Sequence, residues 1–283
     1  LTLQETLAAA RQRLVAAGIA PDEAAVDVDV YARTILGWDR VRLLTEQQAP
    51  PPAALEPRFS QWLARREQKE PSAYILGVRE FWGLDFEVSP AVLIPRPESE
   101  FIVEEALARL AHRPSARVAD VGTGSGCIGI AIAHTQPRAR VVATDISGDA
   151  LSVARRNAVR NAVADRVQFV ETSYMEGLEG PFDVITSNPP YVKEADRQFT
   201  SRAVVKFEPH VALFGGEDGL GGVRAIVEAA RSRLAHGGWL IFEFGLGQDE
   251  EVRELVARYP EYRLDGIRAD LQGIPRTALV QLH

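Results

Sequence analysis

The stretch Arg117-Val118-Ala119-Asp120-Val121-Gly122-Thr123-Gly124-Ser125-Gly126-Cys127 decides how the rest of the chain is read. A short apolar run ends in three glycines spaced two apart and resumes as the apolar segment Ile128 to Ala133. That pattern predicts a strand, a tight turn and a helix. Glycine allows both the sharp turn and a close approach of backbone to a ligand. The spacing is G-x-G-x-G, which lacks the G-x-G-x-x-G of dinucleotide sites, and no Gly-Lys-Ser/Thr follows to hold a triphosphate. By itself the loop leaves nucleotide binding and a purely structural turn both open.

Outward from this loop, strand-like and helix-like runs alternate. Strands are expected at Arg117 to Val121, Arg140 to Asp145, Val167 to Glu171, Phe182 to Ser187, Trp239 to Phe244, Tyr262 to Ile267 and Thr277 to Leu282. Helical runs between them include Asp149 to Val163, Gly222 to Ala235 and Gln248 to Tyr259. Such alternation implies a mostly parallel sheet with helices on both faces. The link Ala269 to Arg276 is too short for a crossover helix, so the last pair of strands is expected to be antiparallel.

Upstream the character changes. Residues 1–75 carry apolar residues at helical spacing, among them Leu3, Leu7, Ala10 and Leu14, then Val26 and Val30, then Leu55, Phe59 and Leu63. This segment holds nine Lys/Arg against ten Asp/Glu, so it is no basic nucleic-acid arm. A small bundle that packs on its neighbour and a module that recognises a partner are equally compatible with it. Residues 76–94 are β-prone and broken by Gly77 and Gly83, which predicts a hairpin linker. Pro95-Arg96-Pro97-Glu98 then opens a helix, with Pro97 suited to its first turn.

The bulk numbers exclude several classes. The chain has 283 residues, 46% of them hydrophobic, and a formal net charge of -7, which argues against broad binding to phosphate backbones. Cys127 is the sole cysteine and the five histidines show no ligand-like spacing, so neither a disulfide nor a metal centre is expected. No apolar run is long enough to span a bilayer, no signal-peptide pattern opens the sequence as given, and a cytoplasmic location is expected.

Two further features carry chemistry. Val141-Val142-Ala143-Thr144-Asp145 ends its strand with an acid about twenty residues beyond the glycine loop, where a carboxylate can accept from both ribose hydroxyls of an adenosine group. Ser147 or Asp149 is better placed to cap the helix that follows. Asp183-Val184-Ile185-Thr186-Ser187-Asn188-Pro189-Pro190-Tyr191 is the strongest signal. Two prolines fix their φ angles and remove two N–H donors, so the Pro189 carbonyl is free to accept from a ligand. Asn188 adds a side-chain acceptor and Tyr191 an aromatic face. Two acceptors gripping the hydrogens of a planar NH₂ group orient its nitrogen, and their bonds strengthen as positive charge develops there.

The glycine loop with Asp145 resembles the S-adenosyl-L-methionine site of class I methyltransferases. That resemblance implies cofactor contacts at Gly122, Thr123, Gly124, Ser125, Gly126, Asp145, Asn188 and the Ser173/Tyr174 region. Tyr174 would either lie against the adenine or cap the core.

Over nearly its full length the chain is similar to the protein-(glutamine-N5) methyltransferases that modify class I peptide chain release factors. The resemblance rests on Val92 to Glu100, Asp120 to Gly126, Asn188 to Tyr191 and Glu208 to Gly219. It implies an α/β fold, a Rossmann-like seven-stranded class I methyltransferase domain at 95–283, behind a helical substrate-recognition domain at 1–75 and a β-hairpin linker at 76–94. It also implies that Asn188 and Pro189 act in catalysis, while Asn188, Pro189, Pro190 and Tyr191 hold the glutamine of a Gly-Gly-Gln loop. The family often has Thr at Ser99, Arg at His210 and Trp near Ser173/Tyr174.

Three rivals stay in view. Adenine-N6 DNA methyltransferases use the same Asn-Pro-Pro-Tyr logic, but must flip the base out and draw on positive charge, which this acidic chain lacks. A ribosomal-protein glutamine is a closer alternative substrate. A cofactor-binding module without catalysis is the third, and intact Asn188 and Asp145 speak against it.

Overall fold

A computed structural model describes residues 1–113 and 115–283. The chain forms two compact units, Leu1–Gly77 and Val78–His283.

The first unit is helical: α1 (Leu3–Ala16), α2 (Pro21–Leu36), α3 (Arg40–Thr45), α4 (Arg58–Glu67) and α5 (Ser72–Leu76). Thr2 starts α1 with a capping box: the Glu5 N–H donates to its hydroxyl at 3.2 Å, and its own N–H donates to the Glu5 carboxylate at 2.8 Å. Leu3, Leu7 and Leu14 of α1 meet Val28 and Tyr31 of α2 and Phe59 and Leu63 of α4 in one buried cluster. Arg66 is buried with them, and its Nε donates to Asp27 at 2.7 Å. Burying either charge without the other would be costly.

The second unit begins with a hairpin, β1 (Val78–Phe81) and β2 (Leu84–Glu87), turning on Trp82 and Gly83, both at positive φ. Phe81 and Phe86 belong to the same buried cluster as Ile102, Val103, Ile130 and Val184. The hairpin is therefore part of the second unit's core.

After α6 (Glu100–Leu110) come β3 (Arg117–Val121), α7 (Cys127–Thr135), β4 (Arg140–Asp145), α8 (Gly148–Arg160), β5 (Val167–Glu171), β6 (Phe182–Ser187), α9 (Arg202–Phe207), α10 (Gly221–Ala230), β7 (Leu234–Glu243), α11 (Asp249–Ala257), β8 (Tyr262–Ala269) and β9 (Pro275–Leu282). The sheet runs β5-β4-β3-β6-β7-β9-β8. The pairs from β5 through to β7 are parallel, whereas β9 is antiparallel to both neighbours, as the short link before it requires. The chain leaves β3 towards β4 and later returns to β6 on β3's other side. That reversal opens a crevice at the carboxyl ends of β3 and β6, where ligands of open α/β sheets bind.

One expected element is shorter than its pattern. The run Gly222 to Ala235 does not stay helical: α10 stops at Ala230, and Leu234 already pairs with Phe182 on β6. The apolar side chain of Leu234 is buried by that pairing, so tertiary context overrides local helix preference. Among the described residues no helix is long and apolar enough to cross a membrane.

Candidate active site

The glycine loop is shaped from behind by Asp120, the next-to-last residue of β3. Its buried carboxylate accepts from Thr123 Oγ1 at 2.5 Å, the Gly129 N–H at 3.1 Å and Thr186 Oγ1 at 2.9 Å. Burial pushes the Asp120 carboxyl above its usual range, and those three hydrogen bonds pull against the rise. Gly124 and Gly126 take φ of +55° and +85°, a region that side-chain-bearing residues rarely adopt. A β-carbon at Gly126 would lie 2.6 Å from Ile130 Cδ1, so the helix behind the loop closes up only on glycine.

Asp145, at the end of β4, faces the loop. One carboxylate oxygen accepts from the Gly124 N–H at 2.9 Å and the other from the Ser147 N–H at 3.0 Å. A carboxylate has more acceptor sites than these two bonds use, so it can still receive ligand hydroxyls. Burial raises its pKa, against the pull of the backbone donors. Ser147, not Asp145, caps α8 by accepting from the Ala150 N–H at 3.1 Å. Next to it the Thr144 hydroxyl donates to the Tyr174 carbonyl at 2.7 Å and pins a residue whose φ is +49°.

β6 ends beside β3, with the Ser187 hydroxyl donating to the Val121 carbonyl at 2.7 Å. This bond puts Asn188 level with the glycine loop. The Asn188 Nδ2 donates to Ser99 Oγ at 2.9 Å, and Ser99 in turn donates to Glu243 Oε2 at 2.7 Å. Tyr191 donates its phenol to Glu243 Oε1 at 2.9 Å. Burial, together with the neighbouring Glu243 carboxylate, pushes that phenol well above its usual pKa, so it stays a donor.

These elements enclose a cavity of about 300 Å³. Among its walls are Gly122, Thr123, Gly124, Ser125, Asp145, Ser173, Tyr174, Asn188 and Pro190. Gly126, Pro189 and Tyr191 stand outside that wall. Gly126 opens α7; Pro189 packs where a β-carbon on Gly222 would be 3.1 Å away; Tyr191 donates its phenol to Glu243. The phenol oxygen of Tyr191 is thus engaged by Glu243, while the residue as a whole is half-buried.

The opposite wall comes from the 208–212 segment, tied down by Arg96. Arg96 Nη2 donates to both carboxylate oxygens of the buried Glu208, at 2.6 and 2.8 Å. His210 is absent from the cavity wall and meets Arg197 and the Val205 carbonyl. Ser99 uses its hydroxyl twice, accepting from Asn188 and donating to Glu243.

Sequence reasoning gave no role to Ser99 or Glu208, which it met only inside longer motifs, and missed Glu243 and Asn157 outright. Asn157 donates to the carbonyls of Glu87 at 3.0 Å and Ser125 at 2.9 Å, joining the hairpin to the loop. A polar residue inside the apolar repeat of α8 was its only visible signal; Glu243 likewise ends an apolar strand. Among the described residues no group of His, Cys, Asp and Glu could hold a metal ion.

Residues 5–77 match the PrmC N-terminal domain and residues 99–211 the Methyltransferase small domain. The release factor glutamine methyltransferase of Bradyrhizobium diazoefficiens is 43% identical over 265 residues, covering 90% of this chain and 87% of that protein. That of Moorella thermoacetica is 40% identical over 286 residues, covering 99% and 98%. The chain belongs to the release factor glutamine methyltransferase family. It is an enzyme of the methyltransferase class. The fold agrees with that family. A methyltransferase from Pyrococcus furiosus superposes with a TM-score of 0.53 at 22% identity, over 79% of this chain and 98% of that one. The ribosomal protein L11 methylase of Lactobacillus delbrueckii subsp. bulgaricus gives 0.50 at 22% identity, over 66% and 81%.

Proposed function

We propose that this enzyme methylates the side-chain amide nitrogen of a glutamine in class I peptide chain release factors, using S-adenosylmethionine, with the glutamine presented by a Gly-Gly-Gln loop. The observation that carries this reading is the placement of Asn188 in one cavity wall with the glycine loop and Asp145.

The residues present suit the cofactor. Asp145 stands in the cavity wall with acceptor capacity beyond its two backbone bonds, the donor-accepting group that ribose hydroxyls need. Gly122 to Ser125 would hold the amino-acid end, Asp145 the ribose hydroxyls, and Ser173 with Tyr174 the adenine. When bound, S-adenosylmethionine supplies an electrophilic methyl group.

The chain's own residues do the rest. An amide nitrogen is a poor nucleophile because its lone pair is delocalised. Asn188 Oδ1 accepts one of its hydrogens from the cavity wall. The adjoining backbone carbonyl of Pro189, a residue whose ring packs outside that wall against Gly222, is assigned the other. Together they orient the nitrogen and favour its pyramidalisation. As the new N–C bond forms, nitrogen becomes positive and both hydrogen bonds strengthen, which stabilises the transition state over the ground state. The cationic product amide is strongly acidic and sheds its extra proton to water, so neutral acceptors suffice and no base is needed in advance.

The test is direct. Purified enzyme and labelled cofactor should label the glutamine of a release factor, and a Gly-Gly-Ala version should receive none. Label in the glutamine-less factor, or in duplex DNA instead, overturns the proposal.

A further inference from the structure

The proposed chemistry needs the oxygen of Asn188, and not its NH₂, turned to an incoming NH₂ group. The two ends of an amide are close in size, so shape alone does not choose between them. Side chains outside the motif make the choice. Glu243 ends β7 and is 1% exposed; its two carboxylate oxygens accept from Ser99 and Tyr191. A serine hydroxyl has a single proton, and that of Ser99 is committed to Glu243 Oε2 at 2.7 Å. Only lone pairs of Ser99 Oγ then remain for Asn188, which must offer its NH₂ and does so at 2.9 Å. The opposite end of the amide, Oδ1, is thereby turned from Ser99.

We propose that Ser99 and Glu243 are positioning residues that fix the orientation of the Asn188 amide, Glu243 acting through the Ser99 hydroxyl. This rests on the reading of Asn188 as the acceptor for the substrate nitrogen. In the reversed orientation two mismatches arise together. Asn188 Oδ1 would face an oxygen whose proton is already engaged, and the Asn188 NH₂ would face the substrate's NH₂, donor against donor. The chain from carboxylate to hydroxyl to amide excludes that arrangement before substrate arrives, so orientation costs nothing during the reaction. Ser99 precedes α6, Asn188 follows β6 and Glu243 ends β7, so only the assembled sheet brings the three together.

A double-mutant cycle with a rescue arm tests it, using the full-length enzyme and its release-factor substrate. Ser99→Ala and Glu243→Met should each lower kcat by about tenfold or more while the Kd for the cofactor stays within about threefold. Because Glu243 acts through Ser99, the double variant should lose no more than Ser99→Ala alone. Ser99→Thr should retain kcat within about threefold of wild type. Losses that multiply in the double variant, a cofactor Kd that rises in step with the loss, or Ser99→Thr as impaired as Ser99→Ala would each overturn the proposal. If Glu243→Met does not fold, the comparison of Ser99→Ala with Ser99→Thr still decides: equal kcat values overturn it. Asn188→Ala is run beside them. Full turnover in that variant removes the reading of Asn188 itself, whereas an inactive Asn188→Ala with a fully active Ser99→Ala removes only the positioning role.

Discussion

The Asp145 carboxylate accepts a hydrogen bond from the Gly124 N–H at 2.9 Å across 21 residues of sequence. It thereby ties the end of β4 to the turn after β3 and holds the glycine loop in its ligand-ready shape. Asp145→Ala removes this tie and, under the proposed function, the acceptor for the ribose hydroxyls. An acceptor of charged hydrogen bonds is worth about 1.5–3 kcal/mol, so the Kd for the cofactor should rise roughly 10- to 100-fold. Calorimetric titration measures this, and an unchanged Kd would remove Asp145 from the cofactor site.

Asn188 separates binding from chemistry. Removing one preorganised hydrogen-bonding group that meets developing charge costs about 100- to 1,000-fold in turnover. Asn188→Ala should therefore lower kcat by that order, with cofactor affinity changed by less than about fivefold. Steady-state kinetics at saturating cofactor decide the point. Comparable losses in both quantities would mean that Asn188 chiefly shapes the cofactor site.

Two glycines of the loop should respond differently to alanine. At Gly122, φ is +68° and a β-carbon would meet open space, so Gly122→Ala costs only backbone strain, about 1–2 kcal/mol. At Gly126 the same strain is joined by a contact at 2.6 Å with the buried Ile130 side chain, which raises the cost to about 2–4 kcal/mol. Urea unfolding of the two variants compares them, and equal losses would show that Ile130 yields freely.

The buried carboxylate of Glu243 gives stability a pH dependence of known sign. Burial raises its pKa, while hydrogen bonds from Ser99 and Tyr191 and the charge of Arg276 oppose the rise. A carboxyl group with a raised folded pKa holds more protons folded than unfolded between the two values. Its contribution is complete below the unfolded pKa and declines as pH rises through the folded one. Glu243→Gln removes this titration and leaves Asp120 and Asp145 in both proteins. The unfolding free energy of wild type minus that of the variant should fall as pH climbs from about 4, then level off. A difference that grows over the same window would show that the folded state favours the anion.

Much of the fold was legible because its signals are local. The boundaries of β3, β4 and β5 follow from apolar runs ending in glycine or acid, that of β6 from the Asn-Pro-Pro after it, and the reversed β9 from a link too short for a crossover. Where a boundary depended on a distant partner, local pattern failed. Leu234 reads as the end of a helix and is drawn into β7 by Phe182 on β6.

The site divides along the same line. Sequence by itself singled out groups that line one cavity, in the glycine loop, at Asp145 and at Asn188, because backbone freedom, a strand-end acid and proline-locked backbone are properties of neighbouring residues. Only the tertiary structure decided which way those groups point. Tyr191 lies in the motif, and its hydroxyl is claimed by Glu243, 52 residues away. Ser99, 89 residues from Asn188, receives the amide hydrogens that leave Oδ1 for chemistry. A hydrogen bond has a direction as well as two ends, and here that direction is set by a buried carboxylate that the sheet delivers from a different strand.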